Sequence, residues 1–232
     1  MLPYGVRDKD GKFHFKMSEM TQSLDRIERV PAFHRIIAQN RLLGVSVKID
    51  LLELKDARSR LFTPGGATDW GLYNNDYIVA FRCLMDAIHE HREKFAPLIS
   101  DGDVIDFIFD EQTERKFILS FWDEYAEARS AKAKSLLGAS PRFENDKICL
   151  PLQAADLWAG ITRIWYEAGK PKVMQLGTST VWSINYLSLY SMTIEYDEKS
   201  LVEGLKSSLQ YKHHNPNLCD RDEWWKYVRG RN

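Results

Sequence analysis

The stretch CLPLQAADLWAGI, residues 149–161, is apolar throughout except at Gln153 and Asp156. Pro151 suits the first turn of a helix, while Gly169 and Pro171 end one, so the pattern predicts a helix from Pro151 to about Ala168. Gln153 and Asp156 are three apart and share a face, which draws a polar stripe down an otherwise buried helix. Ala154, Ala155, Ala159 and Gly160 are small and would let that helix approach a sheet closely. An ionised carboxylate in such surroundings needs a metal ion, a cation such as Arg163, or hydrogen-bond donors. The residues themselves leave those three partners open.

Working outward, VIDFIFDE at residues 104–111 is apolar on both faces and reads as a central strand of its sheet. It delivers Asp110 at its carboxyl end, where open α/β sheets hold ligands. The alternative is that Asp110 or Thr113 caps the helix expected over residues 113–133. Glu111, one step further, is the next acidic candidate. Residues 4–16 form a hairpin around Asp10-Gly11, and residues 45–51 alternate as a strand does. Helical spacing runs from Leu24 to Ile37, with Pro31 starting or breaking the helix. Asn74 or Asn75 caps a helix through Ile78, Phe81 and Ile88 that ends near Pro97, and another spans Glu198 to Leu209. Lys55, Arg58 and Arg60, followed by Pro64-Gly65-Gly66, read as a basic surface loop.

The chain has 232 residues, with 44% hydrophobic and 28% charged residues, enough to build a core and coat it. That length fits one large domain, here residues 1–168, with an extension over 169–232 packed on it. Lysine plus arginine number 32 against 33 acidic residues, so no global charge steers the chain to nucleic acid or anionic lipid. Any such site must be a local patch. No apolar run is long enough for a membrane span, and the first residues turn polar early, so a cytoplasmic protein is expected. Cys83, Cys149 and Cys219 are far apart and fit neither a disulfide framework nor a thiolate zinc site; Cys149 reads as a small core hydrophobe. Trp158, Trp165 and Trp182 read as core, whereas Trp224-Trp225 would dock the C-terminus or face a partner.

The pair Phe109-Asp110-Glu111 and Leu152-Gln-Ala-Ala-Asp-Leu-Trp-Ala-Gly160, with Phe13-His14-Phe15-Lys16 upstream, resembles the bacterial and phage family catalogued as domain of unknown function 3800. The likeness covers roughly residues 12–168. It implies a ribonuclease H-like fold, a mixed α/β sheet flanked by helices, with carboxylates that hold Mg2+ or Mn2+ for phosphodiester hydrolysis. On that reading Asp110 and Asp156 are metal ligands, Glu111 and His14 complete the catalytic set, and Gln153 supports them. The family's opening strand, with its Asp-Glu-Ser-Gly motif, has no counterpart here. Either that strand belongs upstream of Met1, or its ligand is lost, or Asp8 or Asp10 approximates it. A sheet without it exposes an edge that favours pairing with another chain. A nuclease or a catalytically silent scaffold that binds nucleic acid or protein are the two functions implied.

A shared metal requires the Asp110 and Asp156 carboxylates within roughly 8 Å of one another. Nucleic acid as partner requires Lys16, Arg58, Arg60, Arg115 and Lys116 to gather beside them, although a solvated charged face explains these five equally well. His14 and Lys16, two apart on a strand, would face the same side. His89 and His91 diverge on a helix, and His213-His214 with Asp220 reads as a solvated loop.

Overall fold

The computed structural model describes residues 6–7, 9, 13–14, 16–40, 43–96, 98–100, 102–171, 173–176, 180–183, 191–211 and 215–229. The architecture is mixed α/β, rich in helix, and the described strands pair two by two. β1 (Val6–Arg7) and β2 (Phe13–His14) form the expected antiparallel hairpin, Val6 opposite His14. The short helices α1 (Met17–Met20) and α2 (Leu24–Ile27) follow, and α3 (Val30–Asn40) takes Pro31 in its first turn, where a missing N–H costs nothing. β3 (Gly44–Ile49) is the anticipated strand.

The basic loop expected next is a helix instead, α4 (Leu51–Arg60), capped by Asp50, whose carboxylate accepts the Leu52 N–H at 2.8 Å. Its Leu54 and Ala57 are buried, while Arg58 and Arg60 are held in ion pairs, so packing overrides a weak periodicity. β4 (Leu61–Phe62) leads through a 3-10 turn at Gly71–Asn74 to α5 (Asp76–Glu90), with Asn75 accepting the Tyr77 N–H. That helix stops at His91, short of the expected Pro97, and α6 (Arg92–Phe95) follows.

β5 (Ile108–Asp110) is shorter than the predicted strand and pairs in parallel with β6 (Arg142–Glu144), Asp110 opposite Glu144. Among the described residues it has no second neighbouring strand, against the central position expected. Its apolar faces are explained by helices instead: Phe81 of α5 meets Phe107 and Phe109, and Trp122 meets Phe107. Between β5 and β6 run α7 (Arg115–Ala128), which carries Trp122, and α8 (Ala131–Lys134). The long α9 (Leu150–Glu167) matches expectation, and Gly169 leaves it at φ 76°, a left-handed backbone that glycine adopts without strain.

β7 (Val173–Leu176) and β8 (Thr180–Ser183) pair antiparallel, and the side chain of Trp182 lies outside the described residues. β9 (Ser191–Tyr196) lies parallel to β3 in register, Lys48 opposite Glu195. α10 (Glu198–Gln210) is capped by Asp197; β10 (Cys219–Asp220) pairs with β4, and α11 (Arg221–Arg229) closes the chain. Trp224 meets Phe62 edge-on at 6.1 Å and so docks the C-terminal helix, while Trp225 is exposed.

The main core joins α4, α5, α7 and α10, so Leu201, Leu205 and Leu209 of the last third share it with Ile78, Phe81 and Phe121. A smaller core gathers Met17, Met20, Val30 and Phe33 against Leu157 and Ile161 of α9. Cys83, not Cys149, is the core thiol, and burial pushes its pKa up to about 12. Iodoacetamide at pH 8 is therefore expected to modify the half-exposed Cys149 and Cys219 in the native protein and to reach Cys83 only after unfolding, read by mass spectrometry of digests.

Candidate functional site

Three elements bring acidic groups toward one lysine. Lys16 precedes α1, and its ammonium donates to Asp146 at 3.1 Å, with the lysine side chain 45% and the aspartate 24% exposed. Its pKa is raised, chiefly by that hydrogen bond and then by the charges of Asp146, Asp110 and Asp156. The stabilisation this represents is present through neutral pH and is lost only as pH rises past the lysine range. Asp110 arrives from the end of β5, Asp146 from the turn after β6, and Asp156 from the second turn of α9.

Asp146 was not among the residues singled out by pattern, because it sits in a turn without periodicity. Asn145 folds that turn by accepting the Lys147 N–H at 2.9 Å. Gln153, 7% exposed, donates to the carbonyls of Asp146 at 2.9 Å and Lys147 at 3.1 Å. The buried amide therefore ties the Asp146 turn to α9. The signal that could have found Asp146 is the polar run Glu144-Asn145-Asp146-Lys147 lying between two site elements.

Asp156 corrects an expectation. It is exposed rather than buried, and Arg163 is not its partner; Arg163 pairs with Glu167 at 3.5 Å. Its carboxylate instead accepts the Met17 N–H at 2.6 Å, satisfying the first free amide of α1 from across the fold. Asp156→Asn keeps an acceptor there, so the expected loss of stability is small, about 1 kcal/mol by urea titration. α9 makes the expected close approach to a strand and a second one to α1: a Cβ at Gly44 of β3 would meet the Trp158 ring, and one at Gly160 would run into Met17 Cγ. Gly160→Val should push α1 away and cost about 2 kcal/mol, with the Lys16 Nζ resonance shifting toward that of a free lysine in NMR.

Asp110 does not cap α7, whose N-cap is Glu114 with no side-chain cap bond, and Thr113 donates to Glu114 instead. Among the described residues the Asp110 carboxylate makes no hydrogen bond, although its charge also reaches Tyr77. The Tyr77 hydroxyl accepts from Gln112 at 3.1 Å, and burial raises its pKa. Glu111 is exposed, and its N–H donates to the Glu144 carbonyl at 3.1 Å, continuing the β5–β6 ladder. His14 lies in β2, and its side chain is outside the described residues.

The five cations do not form one patch. Arg58 is held by Asp76 at 2.5 Å and by the Tyr73 carbonyl; Arg60 is held by Glu198, Asp220 and Asp222. Arg115 lies 5.0 Å from the centre of the Phe143 ring on β6, next to the Asp110 strand, and Lys116 packs on Phe117. Lys16 and Arg115 are thus the two cations placed at the acidic elements. Asp220, considered beside the histidine pair, is buried against Arg60, and His213-His214 are outside the described residues.

Three carboxylates, Asp110, Asp146 and Asp156, against the two cations Lys16 and Arg115 leave a local excess of one negative charge. Oxygen donors of this kind suit Mg2+ or Mn2+ in type. Among the described residues no three acidic, thiol or imidazole side chains stand close enough together to hold one ion as they are placed. No described helix is long and apolar enough to cross a membrane. Comparison of the chain with protein-family models, curated proteins and solved structures finds no match.

Proposed function

We propose that the chain is a divalent-metal-dependent phosphodiesterase or nuclease of ribonuclease H-like type, akin to domain of unknown function 3800. The observation that carries this reading is that Asp146 pairs with Lys16, Asp156 accepts the N–H of the next residue, Met17, and the charge of Asp110 reaches the same ammonium, from a turn, a helix and a strand end. A bound divalent cation would supply Lewis-acid activation of the phosphodiester. The chain contributes the acidic excess that attracts it and, in Lys16 and Arg115, positive charge for the phosphate. Because the carboxylates are not closed on one point, ion binding requires the Lys16–Asp146 bridge to open.

The second reading is a catalytically silent scaffold that binds nucleic acid or protein. It is favoured by the partners already inside the fold: Asp146 is paired with Lys16, and Asp156 accepts the Met17 N–H. Melts of the protein with magnesium or manganese, beside cleavage of labelled single- and double-stranded DNA and RNA, separate the two. Metal-dependent stabilisation with cleavage supports the enzyme. Neither effect at millimolar metal, with or without weak nucleic-acid binding, leaves the silent scaffold.

A further inference from the structure

A groove of about 1640 Å³ is bounded by β3 and by α9 along its length from Leu150 to Glu167. All of Gly44–Ile49 lines it, whereas β9 contributes only Glu195. β3 pairs with β9 on one edge, and no described backbone group bonds its other edge. In a parallel ladder alternate residues turn their N–H and C=O to opposite sides, so half of the β3 backbone groups have no backbone partner among the described residues. Six residues of strand span about 20 Å, and α9 faces them with the small Ala154, Ala155 and Ala159 and with Trp158, whose indole N–H donates to the Ser46 hydroxyl at 2.9 Å on one face of β3. At one end Lys48 and Lys170 converge on Glu195, with Arg163 close by, so cations outnumber the carboxylates of Glu167 and Glu195.

A slot of strand length, apolar walls and an unpaired backbone edge matches an extended peptide rather than a compact ligand. We propose that the groove receives an extended apolar segment of a second polypeptide, added as a strand to the free edge of β3 with an acidic residue at the Lys48 end. A second copy presenting the same edge is disfavoured. The groove that holds the β3 edge is lined by α9, α3 and α5 as well, so a single extended segment fits it better than the same edge of a second copy with its own helices. The inference does not depend on the nuclease reading.

The probe is a synthetic peptide Ser-Met-Thr-Ile-Glu-Tyr, copying residues 191–196, which already pair with β3 and set a glutamate beside Lys48. Calorimetry with the whole chain should show saturable binding, and hydrogen exchange should slow at the groove-facing amides of residues 44–49. N-methylation of alternate peptide amides should weaken binding at least tenfold, as should Ala155→Trp or, should that variant misfold by circular dichroism, Ala159→Trp. Absence of saturable binding, or equal binding of the methylated peptide, overturns the proposal. So does a dimer, by sedimentation, whose β3 amides are protected without peptide.

Discussion

Phe121→Ala is expected to lower stability by about 4 kcal/mol and the melting temperature by about 12 °C. Phe121 is 1% exposed, and its ring sits 5.3 Å from Phe81, 5.5 Å from Tyr125 and 6.3 Å from Tyr73, at the junction of α5, α7 and the turn before α5. Truncation removes the apolar transfer energy and leaves a cavity whose walls belong to three separate elements. Rigid helices on different sides cannot all move in, so the cavity persists. Phe117, four residues earlier on the same helix, is 39% exposed, and Phe117→Ala should cost less than about 1 kcal/mol. Urea titrations of both variants check the contrast. The damage should also reach the acidic site, because Phe81 supports Phe109 at 4.9 Å, and Phe109 stacks on Phe143 at 5.7 Å. Those two rings fix β5 against β6 and so set where Asp110 stands.

Local signals carried much of this architecture and little of its assembly. α9 was readable because Pro151 and Gly169 punctuate a long apolar run, and α5 because Asn75 caps one. α4 was not readable, since only Leu54 and Ala57 of its ten residues are buried and its charges resemble those of a loop. What holds it is nonlocal: Arg60 reaches Glu198 and Asp220, more than a hundred residues away. The parallel pairing of β3 with β9 is equally distant, and neither strand contains a residue that names its partner. At the site the same division holds. Asp110 and Asp156 stand out as acids in apolar runs, but the partner of Asp156 is a backbone amide at Met17, and a backbone amide has no sequence signature. Asp146 is held in place by a contact from the next element, the Gln153 amide of α9 that donates to its carbonyl, and such a contact leaves no local pattern.

Under the proposed activity, Asp110→Asn is expected to reduce metal-dependent cleavage about 10³-fold while leaving the fold intact. Asp110 is the site carboxylate with no hydrogen bond among the described residues, so losing its charge breaks no internal contact. An amide of the same size keeps the packing of β5 against Phe143 and removes a full negative charge where a cation is to be held. A loss of about 4 kcal/mol of transition-state stabilisation corresponds to that factor. Asp146→Asn differs in kind, because it also weakens the partner of Lys16. It should return the lysine pKa toward its ordinary value, a shift that NMR of the ammonium resolves without any turnover. Cleavage that survives Asp110→Asn unchanged would remove Asp110 from the catalytic set even if the protein proves to be a nuclease. Loss of cleavage together with a large fall in melting temperature would instead mark Asp110 as structural. Retained stability with lost cleavage and lost manganese-dependent stabilisation is the expected result, since only an ion-binding role links those two losses.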